Sequence, residues 1–237
     1  MDLRGRIQRE FPSARPATRM ARRTEQLLRQ EGFWPNRTLL GISTCPDELN
    51  RSFPGLNPEW GPAFNLGGLA GLPFTGPKGF EAYWSHLPDE GAALLVGTSH
   101  VGITEGGGWG RIHRAGQSEE TACCGSVVAA IEHLTSGRRS AELKPGQQRT
   151  VTELLEGRWD RIGGAEAPAA EAATFLAESI GEQIDELIPE DPSHPLAVLW
   201  GVQINTPPAQ PDFFVPGELS VELSETERRS LKEVLLA

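Results

Sequence analysis

A chain of 237 residues, 38% of them hydrophobic, is long enough for one sizeable α/β core and short for two ordinary domains. No apolar run approaches the roughly 20 residues that a membrane-crossing helix needs, so no membrane partner is expected. The formal net charge of -10 repels phosphate backbones, which argues against nucleic acid as a partner.

The charge is uneven. Residues 1–23 hold seven arginines (Arg4, Arg6, Arg9, Arg15, Arg19, Arg22 and Arg23) against Asp2 and Glu10. Such a stretch reads either as an organelle transit segment or as a basic helix docked on an acidic body, and without an apolar h-region secretion is not indicated. Three cysteines, two of them adjacent, do not make a disulfide framework. A reducing, cytoplasmic setting and a metal or catalytic role for the thiols fit better.

In chain order, Thr18–Gln30 has the pattern of an amphipathic helix ending before Gly32. Thr38–Ser43 (TLLGIS) predicts a buried strand with Cys45 just past its end, where sites form in open α/β sheets. Residues 52–79 are dense in Gly and Pro yet carry many large apolar residues, Phe64 and Phe74 among them, so they predict an ordered, site-forming loop rather than a linker. A short helix is expected over Phe80–Leu87, and a second buried strand over Ala92–Gly97 leads to His100.

Residues 102–117 (GITEGGGWGRIHRAGQ) read as a glycine-rich turn between short strands, without the GxxxxGK[ST] spacing of a phosphate loop. Thr121–Leu134 predicts a helix with Cys123 and Cys124 at its beginning, and Ala167–Leu187 a further helix. Leu196–Ile204 reads as a core strand, and Ser224–Leu236 as a final helix opened by the capping box Ser224/Glu227. Alternation of this kind indicates an α/β fold with a mostly parallel central sheet flanked by helices.

Catalytic zinc usually takes three protein ligands and leaves a fourth position open, and Cys2His is one such set. Cys45, His100 and one of Cys123/Cys124 supply it, each near a strand end or helix start. Asp47 stands where a carboxylate could accept a hydrogen bond beside the metal or take the fourth position itself. The wide spacing leaves buried structural cysteines, or a Cys45/His100 nucleophile and base pair, as open alternatives.

The segments GISTCPDELN, WGPAFNLGGLAGLPFTGPKGFEAYWSHLPDEG, HVGI and the Cys124-Gly125 pair together resemble the limiting-CO2-inducible protein B/C family over residues 38–135. The resemblance implies a fold similar to β-class carbonic anhydrases, a homodimer and the θ-class carbonic anhydrase reaction on CO2 and bicarbonate. It also implies zinc held by Cys45, His100 and Cys124, with Asp47 as the neighbouring carboxylate. In that fold an arginine normally orients the carboxylate; Leu49 occupies the usual place, so Arg51 is the first candidate and Lys78, Arg111 and Arg114 the alternatives. Phe64, Phe74 and Phe80 are candidate walls of a CO2 pocket, and His86 and His113 candidate proton shuttles. The expected organisation is a helical extension over 1–35 and one zinc-binding catalytic α/β domain over 36–237. Some members of the family are inactive, so a catalytically silent zinc or inorganic-carbon-binding partner protein of a CO2-concentrating system is the second reading, beside the Cys45/His100 hydrolase.

Overall fold

The computed structural model describes residues 2–47, 49–50, 60–190, 193–223 and 228–237. Within them the chain runs α1 (Leu3–Glu10), β1 (Arg15–Pro16), α2 (Ala17–Gln30), β2 (Thr38–Thr44), β3 (Phe64–Asn65), α3 (Gly76–Ser85), β4 (Ala92–Gly102), β5 (Arg111–His113), β6 (Glu120–Ala122), α4 (Gly125–Thr135), α5 (Gln147–Glu156), α6 (Trp159–Gly163), α7 (Pro168–Leu187), β7 (Leu196–Asn205), β8 (Phe213–Glu222), β9 (Arg229–Ser230) and α8 (Lys232–Leu236). The main sheet has the order β1-β8-β7-β4-β2-β3, with β9 added on β8. Its β3-β2-β4-β7 part is parallel, and β8, β1 and β9 pair antiparallel.

The three apolar runs of the sequence are the neighbouring strands β2, β4 and β7, and both faces of this sheet are covered. Successive side chains of a strand point to opposite faces. Ala93, Leu95, Leu196 and Val198 therefore pack with Leu176, Ile180 and Ile184 of α7 and with Val127, Ala130 and Leu134 of α4. Leu94, Val96, Ala197 and Leu199 meet Met20, Leu27 and Leu28 of α2 and Leu235 of α8 on the other face. Burial on both sides explains why β4 reads as a continuous apolar run, with all eleven residues buried.

Several expectations shift. His100 lies inside β4 rather than after it, because pairing with β7 continues to Gly102–Asn205. The helix expected from Thr121 begins at Gly125, since residues 120–122 pair with β5 as a hairpin; Cys124 is its N-cap. Likewise α3 starts four residues early, at Gly76, with Pro77 in the first turn where a missing N–H costs nothing. Ser224 and Glu227, the expected capping box, lie outside the described residues, and the described final helix is only Lys232–Leu236. Strand β8 was not expected at all, because Pro216 and Gly217 interrupt it; Pro216 sits opposite the register shift at Trp200/Gly201, where an absent N–H is tolerated.

The first 35 residues contribute to these same layers: β1 pairs with β8, and the apolar stripe of α2 covers one sheet face. Residues 52–59 of the glycine-rich segment lie outside the described residues; from Trp60 on, it lies across the ends of the central strands. A Cβ on Gly67 would stand 2.5 Å from the Thr44 amide nitrogen, and one on Gly71, at φ 89°, would stand 2.0 Å from the Thr98 carbonyl oxygen. No helix among the described residues is long and apolar enough to cross a membrane.

Candidate metal centre

Cys45 follows β2, His100 is carried near the end of β4, and Cys124 caps α4. Parallel β2 and β4 end side by side, and the hairpin β5–β6 returns the chain to them: Cys123 accepts from the Gly102 N–H through its carbonyl and donates its own N–H to the Gly110 carbonyl. The result is a buried cluster in which one ligand atom each of Cys45, His100 and Cys124 lies within 4.8 Å of the others. The Cys45 and Cys124 sulfurs are 3.7 Å apart. Two thiolates bound to one tetrahedral zinc at about 2.3 Å would be separated by about 3.8 Å, so the pair fits the ion's size.

The imidazole fits as well. His100 Nδ1 lies 2.9 Å from Asn205 Oδ1, while His100 Nε2 is buried without a hydrogen-bond partner among the described residues. Because Asn205 Oδ1 can only accept, Nδ1 carries the proton and a neutral ring presents its lone pair at Nε2. A buried, unpartnered nitrogen close to two thiols matches a metal-ligand set better than an ordinary core arrangement. The residues present therefore fit a zinc ion.

Electrostatics distinguish the three groups. Cys124 is held well below the usual thiol range, first by its hydrogen bond with Cys45 and, against burial, by the charge of His100 and the contact with Ser126. Cys45 is pushed far up by the same bond to Cys124 and by burial. Burial opposes a charged His100, yet the charge of Cys124 and the contacts of Cys123, Cys124 and Cys45 raise it well above its ordinary value. Burial raises Cys123 too. Of the two thiols, Cys124 is thus the more easily ionised and Cys45 the more firmly protonated.

Asp47 Oδ2 accepts from Arg114 at 2.9 Å, and its Oδ1 accepts the Leu49 N–H at 3.1 Å. Arg114 also donates to the Ala122 carbonyl and the Thr121 hydroxyl, so the hairpin leading to Cys123 anchors it. Asp47, His100 and Cys123 form a second close group, placing the carboxylate beside the cluster. Arg51, the first candidate to orient Asp47, lies outside the described residues. Of the alternatives, Arg114 reaches the carboxylate, Lys78 pairs with Glu81 at 2.6 Å, and Arg111 donates to the Glu120 carbonyl.

All three phenylalanines belong to or pack against the apolar cluster that also holds Cys45 and Cys124. Phe80 is buried in the core, Phe74 packs beside Gly68, and Phe64 pairs with Gly41, four residues short of Cys45, its ring 5.8 Å from those of Tyr83 and His86. His86 Nδ1 faces the Ala82 carbonyl at the surface, and His113 is exposed on β5. Sequence reasoning missed Asn205, Asn50 and Gln203. Asn50 donates to the Cys45 carbonyl at 3.1 Å, and both Asn205 and Gln203 donate to the Leu49 carbonyl. The available signal was their polarity in or beside apolar strands: Gln203 and Asn205 end an otherwise apolar β7.

Residues 14–222 match the family described as limiting CO2-inducible proteins B/C, beta carbonic anhydrases. The structure of PtLCIB4, a homolog of the limiting CO2-inducible protein LCIB, superposes with a TM-score of 0.85 at 31% identity, over 95% of this chain and 98% of that one. A histidine-to-alanine mutant of PtLCIB4 gives 0.86 at 32%, over 95% and 96%. LCIB itself gives 0.72 at 18%, over 94% and 95%, and shares the fold. No curated protein sequence matches at a significant level.

Proposed function

The chain belongs to the limiting CO2-inducible protein B/C family, and from that premise we propose that it is a zinc carbonic anhydrase interconverting CO2 with bicarbonate and a proton. The observation that carries the reading is the pair of thiols 3.7 Å apart beside a buried imidazole nitrogen that has no hydrogen-bond partner among the described residues. Cys45, His100 and Cys124 would hold the ion. When bound, zinc would supply Lewis acidity, lowering the pKa of water so that hydroxide is available near neutral pH to attack CO2.

The chain's own groups do the rest. Asn205 holds His100 in the tautomer that ligates. Asp47, held by Arg114, offers carboxylate oxygens that orient a water at the centre by accepting its hydrogen bond. Small apolar CO2 would need little more than a water-poor approach, and Leu66, Ala70 and Leu72 of the glycine-rich segment lie in the apolar cluster that holds Cys45 and Cys124. As the resemblance implies, the enzyme would work as a homodimer. The hydrolase alternative is disfavoured by Cys45 itself, whose thiol is pushed up and is the poorer nucleophile of the pair.

The test is CO2 hydration by stopped flow with zinc content from the same sample, in the native protein and in Cys124→Ser. One zinc per chain with hydration, both lost in the variant, is expected. Zinc without hydration would shift the reading to a silent binding protein, and neither in fully reduced protein would end it.

A further inference from the structure

Two elements far apart in sequence meet at one side chain. Asn205 closes β7, opposite Gly102 and on the same face of the sheet as Gln203 and its partner His100. It is 1% exposed, and both ends of its amide are used. Its Oδ1 accepts from His100 Nδ1 at 2.9 Å and faces the Cys123 sulfur at 3.5 Å. Its Nδ2 donates to the Leu49 carbonyl at 3.2 Å. The Leu49 carbonyl fixes the amide's orientation, since the reverse would set an oxygen against a carbonyl.

Leu49 is part of the turn that carries the carboxylate. Its N–H bonds Asp47 Oδ1, and the Asn50 N–H bonds the Asp47 carbonyl at 3.1 Å. The same turn returns to the first thiol through Asn50 Nδ2 and the Cys45 carbonyl.

We propose that Asn205 is a positioning residue that couples the metal-binding imidazole of His100 to the Asp47–Asn50 turn, so that ligand tautomer and carboxylate position are set by one amide. The inference rests on the metal reading for the His100 half, and on hydrogen bonding alone for the turn half. An aspartate in this position keeps an acceptor for His100 but loses the donor to Leu49. A leucine of similar size loses both. Gln203 Nε2 also donates to the Leu49 carbonyl, at 3.3 Å, so the turn keeps one of two donors in either variant.

The test measures two quantities on native protein, Asn205→Asp and Asn205→Leu: zinc affinity by competition with a chromophoric chelator, and hydrogen exchange of the peptide spanning 47–50. Asn205→Asp is expected to keep zinc affinity within about threefold while the Leu49 and Asn50 amides exchange about five- to tenfold faster, the effect of one lost hydrogen bond. Asn205→Leu is expected to show the faster exchange and also to weaken zinc binding about 10- to 100-fold. Native affinity in Asn205→Leu, or unchanged exchange in Asn205→Asp, would overturn the coupling. If Asn205→Leu does not fold, the aspartate variant decides through exchange. Native protein that takes up no zinc would instead defeat the metal reading, while the exchange comparison would still decide the link to the turn.

Discussion

Zinc is held by thiolates and a neutral imidazole, and the bond to Cys124 together with burial pushes the Cys45 thiol up, so metal loading must displace at least the Cys45 proton. Acid protonates the ligands, so zinc affinity should fall as pH drops. Titration calorimetry in buffers of different ionisation enthalpy should count at least one proton released per zinc; a count near zero would contradict a protonated Cys45 in the metal-free protein. Arg114→Ala should leave one zinc per chain and lower hydration about 10- to 100-fold, because Asp47 loses the guanidinium that aims it. Loss of zinc in that variant would show a structural role instead. At this scale the sequence exposes the reactive residue types, Cys45, His100, Cys124 and Asp47, but not their supports. Asn205 is 105 residues from the histidine it bonds, and the choice of Arg114 depends on a hairpin whose fold-back no local pattern announces.

Among the elements, the short turn from Gly67 to Gly71 fixes the ends of β2 and β4 relative to each other. Gly71→Ala would force a Cβ into the Thr98 carbonyl at a left-handed φ, costing at least about 2 kcal/mol. Thermal unfolding should show a clear drop in Tm, and zinc content should fall with it because β4 carries His100; unchanged values would mean the backbone can shift freely there. The same element logic explains what was legible. Strands β2, β4 and β7 and helices α2 and α7 follow from apolar pattern, since each buries a face or both. Strand β8 and helix α5 do not: β8 carries Pro216 and Gly217 at its register shift, and α5 (QQRTVTELLE) has only Val151, Thr152 and Leu155 buried. Their placement is decided by the neighbours they pack against.

For the whole molecule, the basic N-terminal stretch is also structural cover. Ile7, Phe11, Met20, Leu27, Leu28 and Phe33 are all buried, and at about 1.5–3 kcal/mol each their loss would exceed roughly 9 kcal/mol. A typical domain has only about 5–15 kcal/mol of stability, so a chain lacking residues 1–35 should show no cooperative unfolding transition by circular dichroism. A transition like that of the full chain would mean the segment is dispensable. The sequence by itself determined the α/β class, the parallel centre of the sheet and the residue types of the centre, because hydrophobic period and thiol or imidazole chemistry are local properties. Only the tertiary structure decided that Cys45 and Cys124 stand 3.7 Å apart, that Asn205 hydrogen-bonds His100, and that Arg114 pairs with Asp47. Those facts depend on strand register and on where a hairpin returns, which are fixed by contacts between residues distant along the chain.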